Sequence, residues 1–159
     1  SLLINTSPST AYAPSRAAAI CTLAPSASMA QRSDRCARTR ASACAAVAAA
    51  GTPTEPIVFT GEQQIAGYWG GVVFTNSNHV ENHFTHVTVE YGGGYDFGDG
   101  YANIALDSSG YTVSLEMTDC AIRHSGGWGL WLAQESSVNG DIETANQYDD
   151  NASGDVFRE

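Results

Sequence analysis

The amino-acid sequence predicts an all-β chain, a solenoid of stacked parallel coils from about Gly51 to Glu159 behind a segment of different character. Three observations predict it. Short stretches alternate apolar and polar residues, turn residues separate them, and equivalent stretches return once per circuit. Val72-Val73-Phe74 aligns with Ile104-Ala105-Leu106 at an offset of 32, and then with Leu130-Trp131-Leu132 at 26. Thr85-His86-Val87-Thr88-Val89-Glu90-Tyr91-Gly92-Gly93 aligns with Thr118-Asp119-Cys120-Ala121-Ile122-Arg123-His124-Ser125-Gly126 at 33. A third short stretch, Val113 to Met117, is matched by Val80 to Phe84.

Each stretch reads as a strand. Val87, Val89 and Tyr91 share one face; His86, Thr88 and Glu90 share the other. Turns fall at Asn76-Ser77-Asn78, Gly92-Gly93-Gly94, Ser108-Ser109-Gly110 and Ser125-Gly126-Gly127. Short strands also build sandwiches and barrels. Return once per circuit decides for coils that stack and bury each other's core. Stacking predicts neighbours. Inside, Val87 should meet Cys120, Val89 should meet Ile122, Val72 should meet Ile104 and Leu130, and Phe74 should meet Leu106 and Leu132. Outside, Glu90 should pair with Arg123, and His86 with Asp119. The same alternation points Val73, Ala105 and Trp131 outward, so Trp131 is expected at the surface.

Residues 1–50 differ. They hold five of the seven arginines and one acid, whereas residues 51–159 hold two arginines against sixteen acids, a net of −14. No lysine occurs, and the whole chain carries −10, so nucleic acid is not an expected partner. No apolar run is long enough to span a membrane. The first fifty residues, rich in Ala, Ser, Arg and Thr, show no strand or helix period. Three readings stand: a disordered lead, a degraded signal region, or residues translated out of frame. Mostly disorder is expected, with a weak helix through Arg38 to Ala50, where alanine is frequent. Of the four cysteines, Cys21, Cys36 and Cys44 lie in this segment and Cys120 does not. Their spacing signals neither a zinc site nor a redox motif, and Cys120 reads as a buried thiol.

Ala50-Gly51-Thr52-Pro53-Thr54-Glu55-Pro56-Ile57-Val58-Phe59-Thr60-Gly61, followed by Gly67-Tyr68-Trp69-Gly70-Gly71-Val72-Val73-Phe74, resembles the signature of right-handed parallel β-helix repeat proteins. Phe84 to Tyr91 and Asp119 to Gly129 resemble the coils that follow it. The resemblance covers two-thirds of the chain. It implies a right-handed parallel β-helix of the pectate-lyase-like superfamily, about 3–4 coils long, in a bacterial protein that is extracellular or at the cell surface. It implies scaffold rather than assigned chemistry, and a fragment whose parent has flanking coils. Fold alone does not give function.

Candidate chemistry follows from the coil faces. A polysaccharide lyase needs a strong base and a cation for the sugar carboxylate. Arg123, with Glu90, Asp119 and His86, is the catalytic candidate, although an ion-pair ladder between coils would use the same residues. A hydrolase needs paired carboxylates; Asp96, Asp99 and Asp107 bracket one loop. Asp96 and Asp99, or Asp149, Asp150 and Asp155, could take calcium, without the spacing of a calcium-binding loop. No other cofactor is expected, and His79, His83, His86 and His124 lack metal spacing. The aromatic residues Trp131, Trp128, Trp69 and Tyr101, with Tyr68, Tyr95 and Phe97, fall near one edge. There they could stack on sugar rings of a polysaccharide or cell-surface glycan, or close the corner as packing. The expected function is a non-catalytic segment, carbohydrate-binding or a structural spacer. The alternative is part of a carbohydrate-active enzyme with catalytic coils elsewhere.

Overall fold

The structure, a computed structural model, describes residues 46–96, 100–108 and 110–159, and the strand backbone at 2–5 and 21–23. It is an all-β parallel solenoid of about 3 turns, with no helix among the described residues. The repeating unit is three strands. β3 (Val47–Ala50), β4 (Ile57–Phe59) and β5 (Gly71–Thr75) make one circuit. β6 (His83–Thr85), β7 (Val87–Glu90) and β8 (Ala102–Asp107) make the next. β9 (Val113–Thr118), β10 (Ala121–Arg123) and β11 (Trp128–Leu132) follow. β12 (Ser136–Val138), β13 (Gln147–Asp149) and β14 (Gly154–Arg158) come after them.

Equivalent strands pair in parallel and form three sheets. The first holds β3, β6, β9 and β12, the second β4, β7, β10 and β13, the third β5, β8, β11 and β14. Two further strands edge the stack. β1 (Leu2–Asn5) pairs antiparallel with β5, and β2 (Cys21–Leu23) pairs parallel with β3. The rest of the N-terminal segment, with the disorder expected there, lies outside the described residues.

The registers agree with the offsets in the sequence. Val72 faces Ile104, which faces Leu130; Phe74 faces Leu106, which faces Leu132. Val89 faces Ile122, and Thr85 faces Thr118. The inward side chains form one core that also holds Phe59, Phe84, Met117 and Cys120. Phe84 is its hub, with ring centroids 5.8 Å from Phe59 and 5.7 Å from Phe74.

Three expectations need correction. Val47–Ala50, placed at the end of a weak helix, is strand. Parallel pairing of Ala48 with His83 and Ala49 with Phe84 occupies its backbone, and Val47 and Ala49 are buried. Tertiary pairing overrides alanine propensity here. The strand expected over Val80 to Phe84 is shorter, His83–Thr85, and Val80 is 87% exposed in a turn. Trp131 points away from the main core as expected, yet it is only 4% exposed. The outward column of the third sheet runs Val73, Ala105, Trp131, Phe157. The large indole stacks on Phe157, centroids 6.3 Å apart, and joins Val73, Ala102, Ala105 and Ala133 in a second apolar cluster. Alternation says which way a side chain points, not whether water is there.

Candidate functional site

The outer face of the second sheet carries the ionic groups. β7 and β10 bring Glu90 beside Arg123, and β13 adds Asp149 as the next backbone partner. Arg123 Nε donates to Glu90 Oε2 at 2.9 Å. The carboxylate end is nearly buried, its side chain 10% exposed, while the arginine is 45% exposed. Trp69 closes the site from beneath: its Nε1 donates to the Glu90 main-chain carbonyl at 2.7 Å.

The corners at either end of this sheet repeat as well. Tyr91, His124 and Asp150 all have positive φ (60°, 53° and 51°), as do His86 and Asp119 (49° and 55°). This left-handed backbone is uncommon for residues other than glycine, yet it recurs at equivalent positions. In four of these five the residue's N–H reaches the next coil: Tyr91 to Arg123 O, His124 to Asp149 O, His86 to Thr118 O and Asp119 to Ala145 O. The side chains then pair between coils. His124 Nδ1 lies 3.1 Å from Asp150 Oδ2, and the Tyr91 ring stacks on His124 with centroids 4.9 Å apart. His86 Nε2 lies 4.0 Å from Asp119 Oδ2.

The four residues read as a catalytic candidate therefore form two pairs. His86 and Asp119 precede β7 and β10, whereas Glu90 and Arg123 end them. Four residues of extended chain separate the pairs by about 13 Å. A base whose charge is held by its own neighbour is poorly placed to receive a substrate proton.

Asp96 bridges antiparallel to Tyr101, Asp107 ends β8 opposite Thr75, and Asp99, with Phe97, lies outside the described residues. Among the described residues no three of His, Cys, Asp and Glu gather in a way that could hold a metal ion. Cys120 is a buried free thiol, and desolvation pushes its pKa up to about 11. Burial likewise raises Tyr148, whose hydroxyl donates to Ile142 O at 3.2 Å.

The aromatic edge divides in two. Trp69 is buried with its indole N–H satisfied. Trp131 is buried, and its Nε1 has no partner among the described residues. Trp128 is half-buried against Phe157, with centroids 5.3 Å apart. Tyr95 and Tyr101 remain open, at 49% and 46% exposure.

The alternation did not single out the asparagines, which clamp coil to coil. Asn103 Oδ1 accepts the Gly92 N–H at 2.7 Å, and its Nδ2 donates to Val89 O and Arg123 O. Asn82 holds Val47 N, Ser77 O and Ser114 O. Asn146 holds Cys120 N, Met117 O and Ile142 O. A lone amide inside an apolar strand, as in Ala102-Asn103-Ile104, is the signal that could have found the first. Compared with known proteins, the chain matches no family model, no curated protein and no solved structure. No helix among the described residues is long and apolar enough to cross a membrane.

Proposed function

We propose that the chain is a non-catalytic spacer: a scaffold segment of a secreted or cell-surface bacterial protein, right-handed in coil sense and set within a longer pectate-lyase-like stack. One observation carries this reading. The polar groups that chemistry would need are engaged between coils: Arg123 with Glu90, His86 with Asp119, and His124 with Asp150. A right-handed sense is what twisted strands favour in parallel crossovers. Support for flanking coils comes from burial: Val138, Tyr148 and Val156, core positions of the last circuit, are only partly buried.

A second reading, carbohydrate contact, is favoured by Tyr95 and Tyr101, open beside the half-buried Trp128. A glycan array combined with a uronate-release assay, with and without calcium, separates the readings. The spacer reading expects neither binding nor release. Binding abolished by Tyr101→Ala would establish carbohydrate contact. Calcium-dependent uronate release would overturn both and favour a carbohydrate-active enzyme.

A further inference from the structure

The turn after β12 holds the only Asn-Gly pair in the sequence, Asn139-Gly140. Asn139 is an inter-coil clamp. Its Oδ1 accepts the Met117 N–H at 2.9 Å, and its Nδ2 donates to Met117 O at 3.1 Å and to Asp141 Oδ1 at 2.6 Å. One carboxamide thus supplies both halves of a backbone bridge to β9. The main-chain hydrogen bonds of the turn run from Ile142 N to Asn139 O, and from Thr144 N and Ala145 N to Asp141 O. The Gly140 nitrogen is left out of them. Gly140 is exposed, and a Cβ built on it would meet no atom within 4 Å.

We propose that Asn139 is a self-modification site, at which the clamp converts itself to an acid. The Gly140 main-chain nitrogen gives its proton to hydroxide and attacks Asn139 Cγ, forming a new C–N bond. The bond from Cγ to Nδ2 breaks, and that nitrogen takes a proton from water and leaves as ammonia, which regenerates the hydroxide. Water then opens the five-membered imide to aspartate or isoaspartate. No oxidant or reductant is involved. Asparagine is the thermolabile partner in such chemistry, and two local features direct it here. The missing side chain at Gly140 leaves the approach to Cγ clear. The Met117 N–H sits on Oδ1, where negative charge develops as the nitrogen adds. Asn82, Asn103 and Asn146 are buried at 1%, 0% and 8% exposure. They precede His83, Ile104 and Gln147, whose side chains crowd the attacking nitrogen.

The product is not neutral to the fold. The carboxylate keeps the bond from Met117 N–H but withdraws one of the two amide donors to Met117 O, leaving Asn146 Nδ2 alone on it, and it faces the Asp141 carboxylate. The corner between β12 and β13 therefore loosens from β9 as the protein ages.

The test incubates the full chain in mildly alkaline buffer, maps its peptides by mass spectrometry, and follows its melting temperature. Asn139 should gain the mass of an amide-to-acid exchange several-fold faster than Asn82, Asn103 and Asn146. Gly140→Ala should slow the exchange several-fold. It should do so without disturbing the fold, because its Cβ enters open space and Gly140 is not among the positive-φ glycines. Asn139→Asp, standing for the product, should melt about 2–4 °C lower. The proposal fails if Asn139 exchanges no faster than the buried asparagines, if Gly140→Ala exchanges as fast as the parent, or if Asn139→Asp melts with it.

Discussion

Glu90 is the residue where electrostatics and packing meet most directly. Its carboxylate is nearly buried and depends on one guanidinium at 2.9 Å. Arg123→Ala should cost about 1–3 kcal/mol, because it leaves a buried acceptor unpaired. Pairing that change with Glu90→Gln should recover part of the loss in a double-mutant cycle by urea unfolding. Additive losses would show that the two side chains do not couple. Cys120 makes a second residue-scale prediction. Its thiol is pushed up to about 11 in the folded chain from an ordinary 9.0. Between those two values the unfolded chain sheds a proton that the folded chain keeps, so stability should fall as pH rises through this window, by about 2–3 kcal/mol in all. Below pH 9.0 the contribution is complete. Iodoacetamide should accordingly leave Cys120 unlabelled in the native protein near neutrality and label it after denaturation, as read from its own peptide.

At the scale of the element, the coils are held by position more than by strand strength. β10 is only Ala121–Arg123, yet Ile122 is fully buried between Val89 and Tyr148. Ile122→Ala should destabilise by about 2–5 kcal/mol, measured as a shift in the urea midpoint at constant m. At the corner leading into β11, a Cβ on Gly127 would collide with the Tyr101 carbonyl. Gly127→Ala should therefore lower the melting temperature, whereas Gly140→Ala should not. Much of this element-level organisation was legible beforehand. Offsets of 32, 33 and 26 foretold the registers, because a parallel stack translates spacing directly into neighbours. β3 was not legible, since Val47–Ala50 has helical composition and becomes a strand only by pairing with β6. Glu90 with Arg123 and His86 with Asp119 were legible as pairs, whereas His124 with Asp150 was not. Trp131 was misjudged because period two cannot reveal that Phe157, one circuit later, stacks on the outward face.

For the whole molecule, composition sets the long-range field. Residues 51–159 carry two arginines against sixteen acids, and most acids are on the surface. Apart from Glu90 with Arg123, the local pairs are exposed on at least one side and contribute about 0–1 kcal/mol each. Self-repulsion should therefore outweigh them. Raising sodium chloride from low to physiological strength should raise the melting temperature, as screening shortens the range of the repulsion. A melting temperature that falls with salt would mean that the pairs dominate.

The corners of the stack differ in length while its cross-section stays the same. Eleven residues, 91–101, join β7 to β8, whereas four, 124–127 and 150–153, join the same two sheets in the later circuits. Both lengths deliver the chain into the same register, with Ala102 opposite Trp128 and Trp128 opposite Gly154. Closing the longer corner costs only about 1 kcal/mol more. Evolution or an engineer can therefore lengthen this corner to graft an epitope or a recognition loop. The solenoid then serves as a rack, displaying cargo at one edge while the shelves behind it stay level.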